Sequence, residues 1–279
     1  MRTLQTDIIR DAVADMVVSA ALKLRPDVLR ALEGAVKQER NKRPRNALKV
    51  IVENASAAWK NKIPLCQDTG MTVVFCEIGR DLYVSGNLDK AINDGVKKGT
   101  RKGCLRRSIV SEPLGRANTG TNTPVIIHYS FCRGSRMRLS LLLKGFGCEN
   151  KGKVVMLNPT ASREEIEAFI ITAIQEAGAN ACPPFVVGIG MGGTMDKACE
   201  LAKKALLVPI GKRNACREYA LLEKRLVKKA NATGIGPLGL GGRTTVLDIK
   251  VLPHATHIAG LPVAVNISCH ALRSKKVVS

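Results

Sequence analysis

The chain has 279 residues, of which 45% are apolar and 24% are charged, and its formal net charge is +21 at pH 7. This length and composition are typical of a globular protein with one large domain or two small ones. No apolar run reaches the roughly 18–20 residues of a membrane-spanning helix, and residues 1–5 lack the hydrophobic block of a signal peptide, so we expect a cytoplasmic chain.

The cysteines and the charge narrow the range of functions. Nine cysteines lie far apart with no CxxC pair, which favours thiols or metal ligands over disulfide bonds and argues against a zinc ribbon. Aromatic residues make up only 3% of the chain, so stacking surfaces for single-stranded nucleic acid are scarce. We therefore interpret the scattered basic residues as solvated faces, with an acidic partner, an anionic substrate or nucleic acid as the alternatives.

The N-terminal fifth of the chain is predicted to be helical. Apolar residues recur at helical spacing in three segments, which are 6–21, 26–36 and 46–59. We expect residues 1–60 to form a helical region within one domain that spans 1–279.

The hexad Leu65-Cys66-Gln67-Asp68-Thr69-Gly70 is predicted to be a loop at an element junction, because a strand over 72–78 follows it. A cysteine, a carboxylate and a hydroxyl lie close together in this loop, and loops held by rigid elements often carry reactive groups. The alternative is a turn with a buried thiol, since cysteine is often a small buried hydrophobe.

Two polar motifs follow a predicted helix over 88–98. They are the stretch LRRS at 105–108 and the loop NTGTNTP at 118–124. Beyond them, apolar runs at 125–129 and 137–143 are predicted to be neighbouring strands.

These strands lead into a glycine-rich turn over 144–151. Such a turn could direct backbone N–H groups to an anion, and a plain hairpin connection explains it equally well. The next element is a helix over 163–177, which Ser162 and Glu165 open with the spacing of a capping box.

Cys182 stands before two prolines and a predicted strand over 185–187. Proline restricts the residue before it to an extended conformation, so we expect Cys182 to hold a fixed, non-helical position.

The stretch 188–193 matches GxGxxG and raises the possibility of a dinucleotide site between that strand and a helix over 194–206. Lys212-Arg213 could bind the 2′-phosphate of NADP. Against this, no acidic residue stands about 20 positions on, and a second helix over 215–230 follows where a Rossmann unit needs a strand. An NADP-binding oxidoreductase is therefore the weaker alternative.

The last predicted elements are a glycine loop at 234–242 and strands over 244–251 and 261–267. The chain then reads Cys269-His270, and we expect one of these two side chains to be a ligand because adjacent strand residues point to opposite faces. After Cys269 we expect only a basic tail.

The chain resembles the α-subunit, or N-terminal domain, of the class I iron–sulfur hydro-lyases, which include class I fumarases and L-tartrate dehydratase. The resemblance covers residues 8–273 and rests on an ordered set of motifs: LCQDTG, LRRS, NTGTNTP, KGFGCENK, GIGMGGTMDKACELAKKALL, GIGPLGLGGRTT and PVAVNISCHALR. It implies an α/β fold, with a mixed sheet flanked by helices and cluster-binding loops at element junctions. It also implies reversible hydration of fumarate to malate, a step of the tricarboxylic acid cycle, with tartrate dehydration as the alternative.

The resemblance implies that Cys66, Cys182 and Cys269 hold a [4Fe–4S] cluster. Three thiolates leave one iron open, and an open metal site is a Lewis acid that can bind a substrate hydroxyl and carboxylate.

Four further site residues follow from the resemblance. Asp68 would face the substrate hydroxyl beside Gln67, Arg106 would bind a substrate carboxylate through its planar fork, and Gly147 would offer a backbone N–H. If the resemblance to this family is set aside, Arg106 is one of 44 basic residues, and Asp68 is equally well explained as a loop cap.

Two residues depart from the family pattern. Phe146 adds bulk to the glycine turn, and Cys148 brings a fourth thiol near the proposed site, where it would block catalysis if it reached the open iron.

The resemblance also implies a separate β-subunit. The family's general base comes largely from the β-side, so none is assigned here, and we expect the chain alone to be inactive. An oligomer that binds a C4 dicarboxylate follows from the same resemblance.

Overall fold

The computed structural model describes residues 2–279 and confirms the α/β class with mixed sheets. The strands are β1 (Arg2–Gln5), β2 (Met71–Gly79), β3 (Leu82–Ser85), β4 (Ile126–Cys132), β5 (Met137–Lys144), β6 (Lys153–Leu157), β7 (Phe185–Gly193), β8 (Val246–Thr256), β9 (Leu261–Ser268) and β10 (Arg273–Val278). The helices are α1 (Thr6–Leu22), α2 (Pro26–Gln38), α3 (Lys42–Asn61), α4 (Leu88–Lys102), α5 (Phe146–Glu149), α6 (Arg163–Ala177), α7 (Met195–Ala205) and α8 (Arg217–Ala232). None of these helices combines the length and apolar character that a bilayer crossing requires, a statement that covers residues 2–279.

The chain forms two compact units. The first consists of residues 2–25, 55–146 and 273–279, and the second consists of residues 26–54 and 147–272. The predicted helical region at 1–60 is present apart from the short strand β1. The assignment of 1–279 as one catalytic domain stays a prediction.

The first unit is built on a four-stranded mixed sheet in the order β10-β5-β2-β4. Strand β2 pairs parallel with β4 and antiparallel with β5, which in turn pairs antiparallel with β10. Apolar residues of α1 and α4, including Val17 and Val96, join those of the sheet, including Val74 and Leu141, in one core. This burial of apolar surface is the main force that stabilises the unit.

The prediction that the two apolar runs form neighbouring strands is wrong. Strands β4 and β5 both pair with β2 and lie on its opposite sides. The turn after β4 crosses the end of β2, where Arg136 O accepts a hydrogen bond from Gly79 N and Gly134 O accepts one from Asp81 N. In a sequence, two apolar runs joined by a short turn resemble a hairpin. Only these long-range hydrogen bonds show that β4 and β5 are not neighbours.

The predicted basic tail is also wrong. Residues 273–278 form β10, whose six residues pair in register with β5. The basic composition of this segment concealed it, because the adjacent exposed residues Lys275 and Lys276 break the alternating apolar pattern that predicts a strand. Strands β1, β3 and β6 were likewise not predicted.

The second unit is built on a sheet in the order β6-β9-β7-β8, with helices on both faces. Helices α6 and α8 cover one face through a core that includes Ile174, Leu226 and Ile249. Helix α7 packs on the other face through the small residues Ala198 and Ala202. The capping box of α6 is confirmed, because the Ser162 hydroxyl accepts from Glu165 N and the Glu165 carboxylate accepts from Ser162 N.

The GxGxxG stretch lies inside β7, whereas a loop between strand and helix was predicted. A Cβ atom at Gly188 would overlap the carbonyl oxygen of Ala202, and one at Gly190 would overlap that of Ala198. The glycines therefore allow α7 to pack directly on β7. A phosphate-binding turn has to connect the strand to the helix, and this motif does not.

Arg213, the proposed 2′-phosphate ligand, belongs to a buried polar network on β8. Its guanidinium lies 2.8 Å from Asp248 Oδ1, and Lys250 Nζ lies 2.7 Å from Asp248 Oδ2. The Lys250 ammonium also donates to the carbonyl oxygen of Lys212. This network attaches the connection between α7 and α8 to the sheet. Arg213 forms an ion pair within it.

Candidate active site

The LCQDTG loop follows α3 and leads directly into β2 in the first unit. Leu65 is buried and donates from its backbone N–H to Ala21 O at 2.9 Å, which fixes the start of the loop. The three predicted site residues of this loop are more accessible to solvent: Cys66 and Asp68 are half-buried and Gln67 is exposed. The loop has the predicted position at an element junction.

The Asp68 carboxylate is held by backbone donors from two segments. Its Oδ1 accepts from Gly70 N and its Oδ2 accepts from Phe146 N, each at 2.8 Å. Asp68 therefore is a loop cap, as its sequence position also suggested. A carboxylate has about four lone-pair positions, so each oxygen keeps capacity for one more donor.

Arg106 lies in the loop after α4 with an exposed side chain. Its guanidinium makes no hydrogen bond or ion pair with any residue in 2–279. The surrounding backbone is fixed by the NTGTNTP loop, because Asn122 Oδ1 accepts from Ser108 N at 2.7 Å and Asn118 Nδ2 donates to Arg107 O at 3.0 Å. The two polar motifs are thus one structural assembly that presents Arg106 to solvent.

A basic cleft of about 970 Å³ opens beside Arg107 in the first unit. Its cationic lining consists of Lys97, Lys98, Arg101, Lys102 and Arg107, against the single acid Asp94. Two of the lysines are paired, since Lys98 contacts Asp11 and Lys102 contacts Asp15. The cleft still presents a net positive surface.

Cys182 occupies a turn in the second unit, between a 3₁₀ turn over Ala179–Ala181 and β7. It is exposed, and its backbone is left-handed with φ 54° and ψ 65°. The position is fixed and non-helical as predicted, but the predicted extended conformation is wrong. A left-handed residue other than glycine costs about 1–2 kcal/mol, so the surrounding structure has to hold it.

The glycine loop 234–242 supplies that support. Leu238 N donates to Pro183 O at 2.9 Å, directly after Cys182. The other end of the loop is anchored by Glu39, whose Oε2 accepts from Arg243 N at 2.7 Å. Its Oε1 accepts from Arg40 N and Asn41 N. Burial works to raise the pKa of Glu39, but these three backbone donors outweigh it and hold the pKa below its ordinary value.

Cys269 follows the end of β9 and is half-buried. The next side chain, His270, points back to the cysteine turn, where its Nδ1 lies 3.1 Å from Cys182 O. A carbonyl oxygen only accepts, so this contact requires a proton on Nδ1. The two cysteine segments of the second unit are therefore joined through His270.

The glycine turn contains the short helix α5 rather than a hairpin connection. A Cβ atom at Gly147 would meet no atom within 4 Å, so no packing contact explains this glycine. Phe146 is 44% exposed, whereas Cys148 is buried. The added bulk of Phe146 thus faces outward.

The three predicted ligands have the donor chemistry of an iron–sulfur cluster. No disulfide joins any of the nine cysteines, and Cys66, Cys182 and Cys269 all lie in exposed or half-buried loops. By contrast, burial raises the pKa of the Cys76 thiol to about 12, which disfavours the thiolate that a metal requires. Within residues 2–279, no three or more His, Cys, Asp or Glu side chains form a group that could hold a metal ion. The assignment of the three ligands stays a prediction.

Arg273 is the residue near this site that sequence reasoning missed. It is the first residue of β10 and only 3% exposed. Its Nη2 and the Asp68 carboxylate both border the position that a Cβ atom on Gly145 would take. The quoted motif PVAVNISCHALR ends on this arginine, but nothing in the sequence around it indicated that its side chain is buried.

Comparison with known proteins gives a consistent family. Residues 10–278 match the family described as fumarate hydratase (Fumerase). The chain is 42% identical over 272 residues to the putative L(+)-tartrate dehydratase subunit alpha of Methanocaldococcus jannaschii, covering 95% of each chain. It is 30% identical over 267 residues to the L(+)-tartrate dehydratase subunit alpha of Escherichia coli strain K12, covering 94% of this chain and 88% of that relative. The chain therefore belongs to the class I fumarate hydratase (Fumerase) family and is a hydro-lyase.

Proposed function

We propose that this chain is the cluster-bearing α-subunit of a class I hydro-lyase that hydrates fumarate reversibly to (S)-malate. The observation that carries the proposal is the Asp68 carboxylate, which two backbone N–H groups hold two residues after the predicted cysteine ligand Cys66. Such a fixed acceptor suits a substrate hydroxyl, because its orientation costs no further ordering when the substrate binds.

Cys66, Cys182 and Cys269 are the residues that would hold the [4Fe–4S] cluster. When bound, a cluster with three protein thiolates supplies a Lewis acid that makes hydroxide a tolerable leaving group. The half-buried or exposed loop positions of these cysteines support their assignment.

The other site residues would bind and orient the dicarboxylate. Asp68 would accept the proton of the substrate hydroxyl in a hydrogen bond, with the exposed amide of Gln67 beside it. Arg106 would bind a carboxylate bidentately, and the lack of an ion pair between its guanidinium and any side chain in residues 2–279 supports that role. Gly147 would offer its backbone N–H, which its open surroundings permit.

Malate dehydration also requires a base that removes a proton from the carbon next to a carboxylate. We infer that a separate β-subunit supplies this base. The names of the relatives, each a subunit alpha, support a partner chain. The net charge of +21 and the basic cleft suit an acidic partner surface.

Dehydration of L-tartrate is the second candidate reaction. The observation in its favour is that the relatives in Methanocaldococcus jannaschii and Escherichia coli are both named for that activity. Tartrate differs from malate by one hydroxyl group, so the same groups would bind both.

The test is anaerobic purification of the chain with and without its candidate β-subunit. We expect iron and sulfide in a ratio that corresponds to one cluster, with absorbance near 400 nm, and fumarate hydration only in the complex. A tenfold higher kcat/KM for tartrate would establish the second candidate instead. A protein that binds NADP or nucleic acid and contains no iron would contradict both.

A further inference from the structure

Strand β4 is an open edge of the sheet in the first unit. It pairs with β2 on one side, and within residues 2–279 no strand pairs with its other side. The hydrogen bond from Arg80 N to Cys132 O shows that Cys132 directs its backbone groups to β2. Backbone groups alternate in direction along a strand, so those of Ile127, Tyr129 and Phe131 point to the open edge.

This open edge is capped only where it begins. Val125 N also points outward, and it donates to Asn93 Oδ1 of α4 at 3.0 Å. In the part of the chain that the structure describes, the outward backbone groups of Ile127, Tyr129 and Phe131 have no such partner. Water has to satisfy these groups in a single copy, whereas an added strand would satisfy them directly.

The exposed side chains of β4 are largely apolar. Phe131 is 70% exposed, Tyr129 is 41% exposed and Ile126 is 40% exposed. The strand contains no charged residue, although the chain has a net charge of +21. The opposite edge strand, β10, carries Lys275 and Lys276, and such charges are a usual protection of sheet edges against pairing. Because β4 lacks this protection, its edge suits a partner strand.

We propose that β4 pairs antiparallel with β4 of a second copy of this chain, about a two-fold axis at Tyr129. In this register Tyr129 lies opposite its own counterpart, and Ile127 lies opposite Phe131. Each outward N–H group then meets an outward carbonyl oxygen of the other copy. The edge groups of both copies are satisfied, and the two sheets become one. This interface does not depend on the proposed reaction.

The sequence of β4 favours a copy of itself over other partners. Aromatic and β-branched side chains stabilise each other when they lie opposite in paired strands, as Ile127 and Phe131 do in this register. Like charges directly opposite would destabilise the pair, and the uncharged strand sets none against another. The basic cleft, which suits an acidic partner, shares no residue with β4. Both surfaces can therefore be occupied at once.

The first test is the mass of the full chain, purified anaerobically and measured by analytical ultracentrifugation over a range of concentrations. We expect a dimer whose Kd rises by about 30-fold or more in Phe131→Lys, because the substitution occurs twice in the interface and sets an ammonium opposite Ile127. Phe131 is a better choice than Tyr129, whose hydroxyl is hydrogen-bonded to Asp89.

Tyr83→Lys is the matched control, since Tyr83 is an exposed aromatic residue of β3 in the same unit. We expect it to leave the Kd of the dimer unchanged. A monomeric wild type, or a dimer that Phe131→Lys leaves intact, would overturn the proposal.

A disulfide tests the register. Ile126 and Cys132 of different copies would form a pair without hydrogen bonds, in which Cα atoms lie about 4.5 Å apart and a disulfide can form. We expect Ile126→Cys to give a covalent dimer through the native Cys132 under mild oxidation. The same substitution combined with Cys132→Ser should remain uncrosslinked on a non-reducing gel. A covalent dimer that forms equally in both variants, or in neither, would reject this register.

Phe131→Pro separates backbone pairing from side-chain contact. It removes an N–H group that the sheet of a single copy does not use, so its Tm should stay close to that of Phe131→Ala. We expect a higher dimer Kd in Phe131→Pro than in Phe131→Ala, and equal values would contradict pairing through the edge.

The alternative occupant of this edge is a strand of the β-subunit. In that case the isolated chain would be a monomer and Phe131→Lys would weaken binding of the β-subunit, a result that would also overturn the proposal. None of these measurements uses fumarate hydration, so failure of the proposed reaction would leave their outcome unaffected.

Discussion

The Sγ atom of Cys148 donates a hydrogen bond to the carbonyl oxygen of Ala181 over 3.2 Å. Cys148 is the thiol that departs from the family pattern, and Ala181 directly precedes the predicted ligand Cys182. The Cys148 side chain is buried in the apolar core of the second unit. This thiol therefore packs beneath the cysteine turn and contributes to its support.

Cys148→Ala tests whether this thiol is structural. Removing one small buried side chain is expected to cost about 1 kcal/mol of unfolding free energy, with fumarate hydration in the complex within about threefold of wild type. Chemical denaturation and steady-state kinetics are the measurements. A large gain in activity would indicate instead that Cys148 competes for the open iron.

Serine substitution of Cys66, Cys182 or Cys269 is expected to abolish cluster binding and activity, because a serine hydroxyl is a much weaker ligand for iron than a thiolate. Anaerobic iron and sulfide analysis measures the loss. Cys216→Ser is the matched control: Cys216 is exposed at the N-cap of α8, where serine is a favoured residue. Full cluster occupancy in Cys182→Ser would reject the ligand assignment.

Arg106→Lys is expected to lower kcat/KM by about 10–100-fold, since lysine keeps the charge but loses the planar fork. Within residues 2–279 the Arg106 side chain makes no hydrogen bond or ion pair and is exposed, so the Tm should not change. Arg133→Lys, at an exposed turn of the same unit, provides the control. Wild-type kinetics in Arg106→Lys would show that Arg106 is an ordinary surface cation.

Glu39→Gln tests the anchor of the glycine loop. At pH 7 we expect a loss of about 1–3 kcal/mol of unfolding free energy, because the amide cannot accept all three backbone hydrogen bonds. The folded-state pKa of Glu39 is depressed, so its contribution is present above the unfolded pKa of about 4.3 and is lost as the pH falls through the folded value. The difference between wild type and variant should therefore shrink below about pH 4.

Denaturation curves at pH 7, 5 and 3 measure this effect, with the exposed Glu53→Gln as control. A difference that stays constant over this range would show that the Glu39 charge does not stabilise the loop.

Assembly with the β-subunit is expected to weaken with salt, since attraction between charged surfaces is screened. Replacing Lys97 and Arg101 of the basic cleft with glutamine should raise the Kd and reduce its salt dependence. Replacing Arg133 and Arg163, which are exposed elsewhere, serves as the charge-matched control. Salt-independent assembly would contradict the electrostatic part of the proposal, and full turnover by the isolated chain would contradict the need for a partner.

Local patterns in the sequence predicted the long helices and most of the long strands, while pairings distant along the chain escaped prediction. Helix α6 was predicted because its cap and its apolar spacing are both encoded within a few residues. The order of β4, β2 and β5 was not, because it depends on contacts between segments about 50 residues apart.

The site residues show the same division between features encoded locally and features that depend on distant segments. The loop position of Asp68 followed from its neighbours in sequence, and its second hydrogen bond, to Phe146, did not. Arg273 was missed because its burial depends on the pairing of β10 with β5, and a segment rich in lysine gives no sign of that pairing.

The pairing of β10 with β5 has a consequence for biosynthesis. The first unit obtains its last strand from residues that follow the whole of residues 147–272 in the chain. A ribosome therefore completes the second unit before it delivers the strand that carries Arg273. The first unit would then be the last to complete its fold, contrary to the usual N-terminal-first order, because its sheet lacks the edge strand β10 until synthesis ends.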